Sequence, residues 1–203
     1  MKKALILGTY VNPPYHPFQE VDGVLQTLLS PDFEITPTDD FSFLNRLSDF
    51  DLLVSYIDRF DQELPVGAGD AILSFVKQGG GLLCLHNGLS LQTDPRLFRL
   101  IGGKFLRHPP QRELAFVPTE NGFLANEPGF TCSEEPYQFG LSGEGITPLL
   151  QYTFEGLTCL GGWARETGSG RIVFLTPGHS ADVFRIEAYQ RMILRSARWA
   201  AGI

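Results

Sequence analysis

Four histidines are the side chains in this sequence best placed to do chemistry: His16, His86, His108 and His179. Each follows an apolar run that meets glycine or proline, the pattern of a buried strand leaving a sheet. His86 is the sharpest case, closing Gly81-Leu82-Leu83-Cys84-Leu85 and followed by Asn87-Gly88. Where a strand turns abruptly into a helix, the apex side chain needs small neighbours two positions before and two after it. With His86 at the apex those neighbours are Cys84 and Gly88. With Cys84 there they are Leu82 and His86, which crowd the turn. His86 is therefore read as the apex and Cys84 as a buried strand residue; capping of the next helix is the plainer alternative for His86.

Imidazole exchanges protons near neutral pH and ligates metals. Ligands of open α/β sheets bind beyond the C-terminal strand ends, so histidines gathered on that edge outline a candidate site. Glu134-Glu135, in a long polar stretch before Pro136-Tyr137, offers a carboxylate to pair with imidazole as an acid/base unit. Two solvated surface charges are the alternative. No HxH, HExxH or CxxC spacing anchors a metal, so no cofactor is expected, with a divalent metal at the histidine cluster as the alternative. Neither Gly79-Gly80-Gly81 nor Gly102-Gly103 matches a phosphate-binding fingerprint. Cys132 and Cys159 carry no motif and read as packing residues.

The elements that must position these side chains are legible in outline. Apolar runs at Ala4–Gly8, Phe33–Thr36, Asp51–Ile57 and Leu82–Leu85 read as strands. Helical patterns fall over 18–29, Pro65–Gln78 and 95–101, the last with Asp94 as N-cap and Pro95 at its first position. This alternation predicts a mostly parallel sheet with helices on both faces. Beyond Gly102 the pattern becomes strands at Gly103–Leu106, Glu113–Val117 and Pro148–Phe154, a long loop over Thr119–Gly145, and a hairpin pairing Leu157–Ala164 with Arg171–Thr176. A final helix over Glu187–Ala201 turns Arg191, Arg195 and Arg198 outward.

At 203 residues with 43% hydrophobic and 19% charged content, the chain is expected to be one domain, residues 1–203, with a substantial core. A net charge of −7 argues against nucleic acid or an anionic membrane as partner. No run reaches the ~20 apolar residues of a membrane span, and no leader pattern is read at Met1-Lys2-Lys3. Three cysteines, one inside an apolar run, suit a reducing compartment, so a cytoplasmic location is expected. Association into a homo-oligomer is left open.

Several segments, in this order, resemble the trehalose-utilisation (ThuA-like) family of the class I glutamine amidotransferase-like superfamily. They are Gly79 to His86, Gly102-Gly103-Lys104-Phe105 with His108-Pro109, Glu134-Glu135-Pro136-Tyr137, Gly170 to Phe174 with Gly178-His179, and Arg198-Trp199-Ala200-Ala201-Gly202. Tyr15-His16-Pro17 is a weaker N-terminal element. The resemblance implies a flavodoxin-like sheet with an added antiparallel β portion, and a part in using trehalose or related disaccharides. Glutaminase relatives carry cysteine at the elbow and a histidine two residues before a glutamate. Here His86 stands at the elbow and Ser180-Ala181 follow His179, so glutaminase activity is not implied.

The resulting expectation is an enzyme acting on a small sugar or polyol. His86 and His179 serve as acid/base groups, Glu135 orients one of them, and His16, His108, Tyr137 and Trp163 contact the substrate, with core packing as the alternative for Tyr137 and Trp163. A non-catalytic carbohydrate-binding or regulatory module is the alternative from another class. A Cys84-dependent amidotransferase or hydrolase is a third reading, and it requires Cys84 to be accessible.

Overall fold

The computed structural model describes residues 1–143 and 145–203. Its first half is β1 (Lys2–Gly8), α1 (Asp22–Leu29), β2 (Phe33–Thr38), β3 (Leu52–Tyr56), α2 (Ala68–Lys77), β4 (Gly81–Leu85) and α3 (Pro95–Ile101). The second half is β5 (Gly103–Arg107), β6 (Arg112–Pro118), β7 (Phe130–Glu134), β8 (Gln138–Leu141), β9 (Thr147–Phe154), β10 (Leu157–Thr167), β11 (Gly170–Leu175) and α4 (Glu187–Ala201). Among the described residues nine strands form one sheet in the order β2-β1-β3-β4-β11-β10-β9-β6-β7, and β5 pairs β8 in a separate ribbon. Strands β2 to β11 along that order are parallel; from β10 onward the pairing is antiparallel.

Strand alternation divides the core between the two sheet faces. Ala4 and Ile6 of β1 join Leu83 and Leu85 of β4 on the face covered by α1 and α4. Leu5, Leu7, Leu82 and Cys84 face α2 and α3. Both ends of α3 carry their sequence signals, since the Asp94 carboxylate accepts from Arg96 N at 2.8 Å and Gly102 closes the helix in a left-handed conformation. The outward arginines of α4 are paired: Arg191 and Arg195 with Glu127, and Arg198 with Asp32.

Two expectations are corrected. The helix read over 18–29 is broken, with a 3-10 turn over Phe18–Glu20 before α1 begins at Asp22. The stretch 119–145 is not one loop but contains β7 and β8 (Glu144, within it, lies outside the described residues). Inward positions alternate along β7 at buried Phe130, half-buried Cys132 and buried Glu134, a period-2 pattern hidden because its last inward side chain is a carboxylate. No helix among the described residues is long and apolar enough to cross a membrane.

The antiparallel wing does not simply extend the sheet; it curls back over α4. Phe130 of β7 packs its ring 5.2 Å from that of Tyr189 in α4, and Phe116 and Tyr152 join the same core. The end of β7 is thereby returned to the C-terminal ends of β4 and β11.

Candidate functional site

At the end of β4 the chain turns straight into a 3-10 helix over His86–Thr93, and His86 takes φ +45°. A left-handed backbone is uncommon outside glycine and costs about 1–3 kcal/mol unless its surroundings enforce it. They do so here. A Cβ on Gly88 would lie 1.8 Å from the Ser55 carbonyl oxygen, so only glycine lets the turn press against β3. Gly178, at φ +150°, passes so close that a Cβ there would stand 2.8 Å from His86 Cβ. Cys84, two residues before the apex, is fully buried, and burial pushes its thiol pKa far up. An accessible Cys84 nucleophile is therefore not present.

Three imidazoles and one carboxylate converge at this edge. His16, on the loop after β1, places Nε2 3.2 Å from His86 Nε2 and 3.2 Å from His179 Nδ1. Glu135, just past β7, brings Oε2 to 3.5 Å from His86 Nε2 and Oε1 to 3.4 Å from His179 Nδ1. One donor atom from each of His16, His86, Glu135 and His179 lies within 4.8 Å of the others. The segments that carry them follow β1, β4, β7 and β11. The neighbours β1 and β3 lie where the strand order of the sheet reverses, the usual ligand crevice of this architecture.

The outer ring nitrogens fix the tautomers. His86 Nδ1 is 2.7 Å from the Thr176 carbonyl oxygen, which can only accept, so the proton sits on Nδ1 and Nε2 presents its lone pair. His16 Nδ1 is 3.1 Å from Asp58 Oδ2, with the same consequence. Burial lowers the His16 pKa in spite of Asp58, so His16 is neutral at pH 7. Two lone pairs thus face each other across 3.2 Å. The Tyr137 hydroxyl donates to His86 Nε2 at 3.1 Å, and burial holds that phenol in its protonated form.

Carboxylates set the rest of the electrostatics. Burial raises the Glu135 pKa, but its hydrogen bond with His179 and the imidazoles around it outweigh burial and leave the group well below the ordinary range. The bond to Glu135 in turn raises the His179 pKa. Asp58 is buried at the end of β3, where Oδ2 accepts from Tyr15 N at 2.7 Å and His16 N at 2.9 Å as well as from the imidazole.

This donor set suits a divalent transition metal. Two imidazole nitrogens on one tetrahedral Zn²⁺, each at about 2.0–2.1 Å, stand about 3.3–3.4 Å apart. Both nitrogen pairs around His16 are at 3.2 Å. The outer ring nitrogens of His16 and His86 reach a carboxylate and a backbone carbonyl, the partners that orient metal-ligating histidines. Local spacing carried no trace of this because each ligand comes from a different strand end.

Of the expected contact residues, His108 stands at the rim, partly exposed, with Nε2 3.5 Å from Glu135 Oε1. Tyr137 is buried under His86 and reaches the site with its hydroxyl rather than with an open ring face. Trp163 is not at the site. It is fully buried between Phe139 and Phe174 and donates Nε1–H to the Ile101 carbonyl at 2.8 Å, as a core tryptophan does. Asp58 was missed as a site residue, although it follows a buried strand as His86 does, and of the acidic pair Glu134-Glu135 only Glu135 was given a role.

The family model for ThuA, trehalose utilisation, matches residues 6–200. The chain belongs to that family. ThuA-like proteins of known structure share its fold. One from Parabacteroides merdae superposes with a TM-score of 0.81 at 17% identity, covering 98% of this chain and 90% of that one. Another, from Bacteroides uniformis, gives 0.80 at 19% identity, over 98% and 91%. A cold-adapted β-galactosidase from Rahnella sp. R3 contains the same architecture within a longer chain, with a TM-score of 0.65 at 14% identity over 95% of this chain and 31% of that one. Among curated proteins no sequence matches this ThuA-family chain.

Proposed function

We propose that this ThuA-family protein is a divalent-metal-dependent enzyme acting on a sugar or polyol, with His16, His86, His179 and Glu135 as the metal-holding set. The observation that carries this reading is His16 Nε2, which stands 3.2 Å from a nitrogen on each of two other histidines while its own proton is held on the Asp58 side. The family's link to trehalose supplies the substrate class. A metal bound there supplies Lewis acidity, polarising a substrate oxygen. Tyr137 holds its proton at the hydroxyl beside His86 Nε2 and donates toward an oxygen entering the site. His108, exposed and 3.5 Å from Glu135, moves a proton between that carboxylate and solvent. His86 therefore serves as a ligand rather than as the acid/base group expected of it, because its inner lone pair points into the cluster.

The test is to strip the protein with chelator, reload it with Zn²⁺, Mn²⁺ or Co²⁺, and incubate it with trehalose, related disaccharides and their oxidised forms. The expected result is metal-dependent product formation seen by mass spectrometry and lost in His86→Ala. Stoichiometric sugar binding without turnover under every metal would favour a binding module instead. Failure of the reloaded protein to retain about one equivalent of metal overturns the reading.

A further inference from the structure

We propose that Glu134 is a positioning residue that ties together the chain segments bearing two of the four metal ligands, His179 and Glu135; the inference rests on the metal reading above. Glu134 is the last residue of β7 and is fully buried, an expensive place for a carboxylate unless its oxygens are well partnered. Its partners are all at the site. Oε2 accepts from Gly178 N at 2.6 Å and His179 N at 3.1 Å, and Oε1 accepts from Glu135 N at 2.9 Å. Oε1 also stands 3.7 Å from His86 Nδ1.

The consequence is geometric. His179 lies four residues past the end of β11, on irregular backbone that no strand hydrogen bond holds. Its neighbour Gly178 has the unusual φ noted above; Tyr189 and Tyr56 hold the Pro177 and Gly178 carbonyls, and the Gly178 and His179 amides are held by Glu134 Oε2. Glu135 directly follows β7, an edge strand of the antiparallel wing far along the sheet order from β4 and β11. One side chain therefore bonds the backbone of His179 and of Glu135 at once, and it fixes the separation between a nitrogen ligand of the parallel core and the oxygen ligand of the wing. Glu134 touches no inner donor atom of the cluster, so it acts through the ligands and not on the substrate.

Removing such an outer partner costs about 10–100-fold in metal affinity. The test is Co²⁺ titration of the metal-free full chain, following the visible absorption of the bound ion in wild type, Glu134→Ala and Glu134→Gln. Expected are a 10–100-fold weaker affinity and an altered visible band in Glu134→Ala. Glu134→Gln is expected to be intermediate, since one amide oxygen can accept at Gly178 and His179 or at Glu135 but not at both. In wild type, hydrogen exchange without metal is expected to show the Gly178 and His179 amides protected. Wild-type affinity and spectrum in both variants overturn the positioning role while leaving the metal reading intact, as do unprotected Gly178 and His179 amides. Absence of Co²⁺ binding in wild type overturns both.

Discussion

Asp58→Asn separates charge from hydrogen bonding more cleanly than any other change at this site. All three donors that reach Asp58, the amides of Tyr15 and His16 and the His16 imidazole, end on the same oxygen, Oδ2. An asparagine whose carbonyl oxygen takes that place keeps every bond and loses only the negative charge. A hydrogen bond to a charged group contributes about 1.5–3 kcal/mol and a neutral one about 0.5–1.5, so the change weakens each bond by about 1 kcal/mol. The three are coupled through one atom, so a total destabilisation of about 1–3 kcal/mol is expected. The charge also raises the basicity of His16 Nε2, and its loss is expected to weaken metal binding by about 10–100-fold, or roughly 1.4–2.7 kcal/mol. Urea unfolding of the metal-free protein reads the first quantity, and competition for Zn²⁺ against a chromophoric chelator reads the second. Asp58→Ala, which also strands three buried donors, is expected to be worse on both. If Asp58→Asn binds Zn²⁺ within twofold of wild type, the carboxylate does not act through His16 and the reasoning fails.

Gly88→Ala drives a Cβ into the Ser55 carbonyl and is expected to cost about 3 kcal/mol or more in chemical denaturation. Gly23→Ala, in α1 with open space around the new methyl, is expected to stabilise by about 0.5–1 kcal/mol in the same assay. In a thiol-labelling time course on native protein, Cys84 is expected to stay unmodified while the part-exposed Cys132 and Cys159 react; early Cys84 labelling would reopen a thiol mechanism. Imidazole NMR of the metal-free protein is expected to show His179 titrating above the ordinary value of about 6.5 and His16 below it. For stability the two act oppositely. His16 loses its contribution as pH falls below about 6.5 toward its lowered folded pKa, because only the unfolded chain then takes up the proton. The His179 contribution is complete below about 6.5 and is lost as pH rises through its raised folded pKa. Identical pKa values for the two rings would contradict the opposing effects of burial on His16 and of Glu135 on His179.

What the sequence could and could not reveal follows from the range of each interaction. The parallel core was legible because β1, β3 and β4 are continuous apolar runs and α3 carries its own cap and stop. The apex at His86 was legible because the spacing of Cys84 and Gly88 is local. The strands β7 and β8 were not, since a short edge strand ending in Glu134 looks like the loop around it. Trp163 was misplaced for the opposite reason: a tryptophan's type does not say whether its N–H finds Ile101 or a ligand. The gathering of the histidines on one edge was legible from the strand ends, but their metal-like geometry was not, because His16 meets His179 across 163 residues and no short motif records such an approach.

The antiparallel wing gains a chemical meaning from this arrangement. The parallel core delivers three imidazoles and Asp58 from loops after β1, β3, β4 and β11, but Glu134, Glu135 and Tyr137 all come from the wing. The wing can deliver them only because it curls over α4, through the contact of Phe130 with Tyr189, and ends against the Gly178 amide. A flat continuation of the sheet would carry β7 four strands away from β11, at about 4.8 Å per strand and so roughly 19 Å from the histidines. The curl is therefore a condition for the site and not an ornament of the fold. Loss of packing at Phe130 should disturb the cluster without any ligand being touched. Phe130→Ala is expected to cost about 3–5 kcal/mol if the site collapses little. Among molecules that remain folded, it should weaken Co²⁺ binding more than an equally destabilising change on the α2 side of the sheet, such as Ile72→Ala. Equal effects of the two on metal affinity would show that the wing reports only global stability.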